Sequence, residues 1–79
     1  MKISDLIEIT HNQFPKLDKS EINFDLSVGD TPEWDSLGHF NLLLMVEQNY
    51  NIRFTIDQMN EVKSLKDIAT ILEGEGIES

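Results

Sequence analysis

The chain has 79 residues, 39% of them hydrophobic, with fifteen Asp and Glu against six Lys and Arg and no cysteine. This describes one domain over residues 1–79, able to bury a core and stable by about 4–12 kcal/mol. The net charge of −9 argues against nucleic acid and anionic membranes, which are held by cationic side chains, and points toward basic protein partners.

The first element is an amphipathic helix. Ile3, Leu6, Ile7, Thr10 and Phe14 recur at three- and four-residue spacing, the signature of one buried stripe. Asp5 and Glu8 sit near its start, where carboxylates suit the helix dipole. Pro15 disfavours helical geometry at Phe14, so the helix is expected to end there.

Residues 16–34 allow two readings. Ile22, Phe24, Leu26 and Val28 alternate with polar residues, as do Ile52, Phe54 and Ile56. Pairing of these segments would give an α+β fold. Against it, Gly29-Asp30-Thr31-Pro32 breaks the first segment, and a lone two-stranded ribbon is marginal. The favoured reading is an ordered loop pinned by Leu17, Ile22, Phe24, Leu26, Val28 and Trp34.

The strongest helix is expected over 36–50, with Asp35 as N-cap and Asn49 and Asn51 marking its exit. Leu43, Val46 and Tyr50, flanked by Leu42 and Phe40, form one face. Leu37, Phe40 and Leu44 form a second stripe, which one core does not need. Such a spare stripe is either buried on a second side or kept for a partner. A short helix over about 56–61 follows, then a last helix from Ser64, where Ser64-Leu65-Lys66-Asp67 resembles a capping box. Leu65, Ile68, Ala69 and Leu72 form its stripe, Gly74 is placed to stop it, and 75–79 are expected to fray.

The chemistry is sparse. A calcium loop begun at Asp25 would need Gly and Glu where Asp30 and Ser36 stand. Neither His11 nor His39 has zinc-ligand spacing around it, so no specific metal is expected, and His39 reads as a partly buried structural residue. Ser36 and His39, three apart on one helix, lack the oriented base and oxyanion site of a triad, so the chain is not expected to be an enzyme. No thiolate site or Cys nucleophile is possible. Leu42-Leu43-Leu44-Met45-Val46 is too short to span a bilayer, and Met1-Lys2-Ile3-Ser4-Asp5 does not open a signal peptide. The expectation is a cytoplasmic monomer with no membrane insertion. Ser36 lies just inside a helix N-terminus, a position that by itself favours a serine serving as a helix cap and also suits attachment of a phosphate ester.

Trp34-Asp35-Ser36-Leu37-Gly38-His39, followed by a helix ending Val46-Glu47-Gln48-Asn49-Tyr50, resembles the acyl carrier protein family. The similarity runs from about Ile3 to Leu72 through the long loop, the Asp-Ser-Leu helix and the Ile52-Arg53-Phe54 turn. It implies an all-α, four-helix bundle with a long loop between the first two helices and a short third helix. It further implies 4′-phosphopantetheine on Ser36, transferred from coenzyme A by a phosphopantetheinyl transferase, with an acyl or aminoacyl cargo held as a thioester for loading and processing enzymes. Asp35, Leu37, Phe40, Leu44 and Glu47 would then meet those partners. The alternative is an acidic helical interaction module with no prosthetic group. Fatty-acid carriers of the family typically bear several acids on the second helix. Here Gly38, Asn41, Gln48 and Asn49 leave Glu47 as the helix's one acid after Asp35, which implies a specialised rather than a housekeeping carrier.

Overall fold

In a computed structural model, which describes residues 1–78, the chain is all-helical. A 3₁₀ turn over Ile3–Asp5 leads into α1 (Leu6–Gln13), a second 3₁₀ turn spans Lys19–Glu21, and α2 (Ser36–Tyr50), α3 (Ile56–Glu61) and α4 (Leu65–Gly74) follow. The radius of gyration is 11.4 Å, against about 11.6 Å for a packed chain of this length. The long segment between α1 and α2 is therefore folded in.

α1 ends where Pro15 requires, with Phe14 as its C-cap donating its amide to the Thr10 carbonyl at 2.9 Å. Its buried stripe differs by one residue from the sequence expectation: Ile9 is in the core and Ile7 only packs on its edge. Thr10 is fully buried, and its hydroxyl is satisfied by the Leu6 carbonyl at 2.8 Å.

The alternating segment 22–28 does pair, but not with 52–56, and no strand forms among the described residues. Lys66 donates to Phe24 O at 2.9 Å, Leu65 to Leu26 O at 3.1 Å, and Val28 to Lys63 O at 2.8 Å. One isolated antiparallel bridge joins Ser27 to Ser64. The loop thus buttresses the start of α4, with Leu17, Ile22 and Trp34 buried as anchors.

The caps follow local chemistry. Thr55 and Gln58 form a full capping box on α3. At α4 the expected box is only half made. Ser64 Oγ accepts from the Asp67 amide at 3.1 Å, but the Asp67 carboxylate accepts from Lys63 N rather than Ser64 N. Nor is Gly74 the stop, since it is the last helical residue, and the left-handed turn falls at Gly76, φ +86°. Gly76 N bonds to Glu73 O at 3.0 Å and Ile77 N to Leu72 O at 3.0 Å, a Schellman end. Ile3 also donates to Glu78 O at 2.7 Å. Fraying of 75–78 has to overcome these bonds, and Ser79 lies outside the described residues.

One core joins α1, α2 and α4, with Leu6 and Ile9 from α1, Leu42, Leu43 and Val46 from α2, and Leu65, Ile68 and Leu72 from α4; Val62, just after α3, is buried with them, while α3 itself packs on only through the partly buried Met59. Tyr50 closes it, donating its hydroxyl to Lys2 O at 2.6 Å. Burial, with Asp5 nearby, raises the phenol's pKa to about 12. Among the described residues, no helix is long and apolar enough to cross a membrane.

Candidate functional site around Ser36

The start of α2 is set by a turn and a peg. Gly29 takes φ +88°, and its amide donates to Trp34 O at 2.9 Å while Trp34 N donates to Thr31 O at 3.1 Å. The turn drives the Trp34 side chain to full burial. Its indole lies 5.7 Å from the Phe14 ring and stacks on the His39 imidazole at 5.8 Å. With Trp34 fixed, the next residue leaves the core in an extended conformation, Asp35 at φ −91°, ψ −171°. Asp35 Oδ1 accepts from the Gly38 amide at 2.8 Å, which is the expected N-cap.

Ser36 is therefore the first helical residue, exposed, with its hydroxyl in no hydrogen bond among the described residues. Serine here is not the cap, because Asp35 fills that role. The amides of Ser36 and Leu37 stay free in the first turn, as helix geometry demands.

Gly38 has a role that its composition did not reveal. A Cβ at this position would lie 2.6 Å from the Glu33 carbonyl oxygen and 2.9 Å from the Phe14 ring. Only hydrogen lets the loop close against the helix there. Behind it, Trp34 Nε1 donates to His39 Nδ1 at 2.9 Å. Indole N–H can only donate, so the neutral imidazole carries its proton on Nε2. That atom is buried without a partner. Burial lowers the His39 pKa, the Val62 carbonyl opposes the shift, and Lys63 adds to it. Glu33, at the loop's edge, is held low by the Thr31 hydroxyl and its own backbone.

The second stripe of α2 is exposed. Leu37 is 70% accessible, Phe40 49% and Leu44 37%, so these three face outward beside Ser36. Phe40, placed by the sequence at the edge of both faces, belongs to this one. Ile56, the first residue of α3, is 77% exposed as well, a feature that its apolar character and local spacing do not reveal. Glu47 differs from expectation. Its carboxylate accepts from the Phe54 amide at 2.7 Å, tying α2 to the turn before α3. It is half-buried and engaged with the backbone rather than standing free for a partner.

Asp35, Ser36, Leu37, Phe40 and Leu44 are thus brought to one helix and its outer face, while Glu47 serves the fold. No protein-family model matches the chain, and a comparison with curated proteins returns no match.

Proposed function

We propose that the chain is a carrier protein that holds acyl or aminoacyl groups as thioesters on a 4′-phosphopantetheine arm at Ser36. The observation that carries the reading is an unengaged, exposed serine hydroxyl one residue after an aspartate cap, beside an exposed apolar stripe. The residues fit the group. The hydroxyl is free to form a phosphodiester, and the free amides of the first turn favour the phosphate charge. When bound, the group supplies a thiol, which this cysteine-free chain otherwise lacks. The remaining work falls to the chain itself. Asp35 and Gly38 hold the helix end, Trp34 fixes where it emerges, and Leu37, Phe40 and Leu44 offer a surface for the transferase and the acyl-processing enzymes. Tethering raises the local concentration of cargo at each docked enzyme. In this reading the four helices, the long loop and the short α3 form an acyl-carrier-like bundle working in the cytoplasm.

The scarcity of free acids along α2 supports a specialised pathway over housekeeping fatty-acid synthesis. The other reading, an adaptor with no prosthetic group, uses the same stripe and gives Ser36 no task. Intact mass separates them. Incubation with coenzyme A, magnesium and a broad-specificity phosphopantetheinyl transferase is expected to add one phosphopantetheine at Ser36, and Ser36→Ala is expected to stay folded and unmodified. A wild-type chain left unmodified by several active transferases would favour the adaptor.

A further inference from the structure

Ser36 lies between two residues that hold each other, Trp34 before it and His39 after it. The indole Nε1 donates to His39 Nδ1 at 2.9 Å, and the rings stack with centroids 5.8 Å apart. That side-chain bond closes the short stretch Asp35–Gly38, at whose start Asp35 accepts two further bonds. Its Oδ1 takes the Gly38 amide at 2.8 Å, and its carbonyl takes the His39 amide at 2.8 Å. Trp34 is fully buried, whereas His39 is only partly so and borders solvent. The imidazole is therefore the member of the pair that can move.

The pair holds only while the ring is neutral. Nδ1 accepts through the lone pair that a proton would occupy, and an indole N–H can only donate. The opposite nitrogen, Nε2, is buried with no hydrogen-bond partner among the described residues. Burial opposes a positive charge on the ring, the Val62 carbonyl favours it, and the Lys63 ammonium opposes it. The carboxylates of this end of the molecule are committed elsewhere, Asp35 to the Gly38 amide and Glu33 to the Thr31 hydroxyl. From α1 comes the Phe14 ring, set against the indole. We propose that the Trp34–His39 pair is a proton-operated latch on the turn that carries Ser36. A proton taken from solvent onto Nδ1 breaks the indole bond, turns the imidazole outward and loosens Asp35–Gly38. The core stays folded, because Leu42, Leu43 and Val46 keep α2 buried against α1 and α4. The latch needs no group on Ser36, so it stands or falls separately from the carrier reading.

The test is NMR on the unmodified full chain, from about pH 8 down through the His39 titration. Imidazole nitrogen shifts are expected to show the Nε2–H tautomer at the alkaline end. As the ring takes its proton, hydrogen-exchange protection of the Gly38 and His39 amides is expected to fall by at least about threefold, the scale of one lost hydrogen bond. The Val46 and Ile68 amides are expected to keep theirs. His39→Asn places Oδ1 where Nδ1 stands, an acceptor that does not titrate, and is expected to keep the turn closed over the same range. His39→Ala is expected to leave it loose at both ends. The latch is overturned if the wild-type Gly38 and His39 amides stay protected once the ring is protonated, or lose protection together with Val46 and Ile68. It is equally overturned by an Nδ1–H tautomer at the alkaline end. Loosening of His39→Asn over the same pH range would also overturn it, since the trigger would then be a carboxylate.

Discussion

His39 and Gly38 show how single residues govern the helix that bears Ser36. Protonating His39 at Nδ1 would set two donors, imidazole and indole, against each other. Its folded pKa lies below 6.5, so the unfolded state binds the proton more tightly. The stability contribution is therefore present above pH 6.5 and lost as pH falls through the folded pKa. Trp34 is the only tryptophan, so its fluorescence reports the pair. We expect an emission transition with a midpoint below 6.5 that disappears in His39→Gln. A midpoint at or above that value would contradict the geometry. At Gly38 the usual rule is reversed. Alanine in a helix normally gains about 0.5–1 kcal/mol over glycine, but here its methyl would meet the Glu33 carbonyl at 2.6 Å. Overpacking of this kind costs about 1–3 kcal/mol, so Gly38→Ala is expected to lower the melting temperature. A rise in thermal denaturation would refute the close approach.

At the scale of the element, α2 has two apolar faces with different duties. The inner face, with Leu42, Leu43 and Val46, is fully buried, and the outer face is not. Truncation is expected to separate them from the polar anchor at Glu47. Glu47→Ala leaves the Phe54 amide without its acceptor, a loss of about 1–3 kcal/mol, while Phe40→Ala removes a half-exposed ring and changes stability little. If the outer stripe docks a partner as proposed, the order is expected to reverse, because an aromatic anchor outweighs a polar group already engaged. Chemical denaturation of both variants, with binding assays alongside, tests the split. Equal destabilisation would mean that Phe40 serves the fold. The outer stripe was legible in the sequence because its spacing could not share the inner face's direction. The duty of Glu47 was not, since its acceptor role depends on where the chain returns at Phe54.

For the whole molecule, fifteen acids against six bases leave self-repulsion spread over a small surface. The described residues hold a single ion pair, Lys19 to Glu8 at 2.8 Å, and it is exposed, so it offsets little. Added salt is expected to raise the melting temperature by screening. A flat or falling series at neutral pH would show that repulsion does not limit stability. The loop is the other molecular-scale feature. Its apolar residues were readable as anchors, yet period-two alternation cannot say which segment an extended chain pairs with.

Local rules were enough for the α1 stop at Pro15, the Asp35 cap, the bounds of α2 and α3, and the position of Ser36 at a helix start. Each depends on neighbours within about four residues, the range over which capping and periodicity act. Tertiary structure decided the rest, because it depends on residues far apart in the chain. Only packing sets 24–28 against 63–66 rather than 52–56, brings Glu33 onto Gly38, and sets Trp34 against both Phe14 and His39. Only the return of the chain at Phe54 takes up the Glu47 carboxylate.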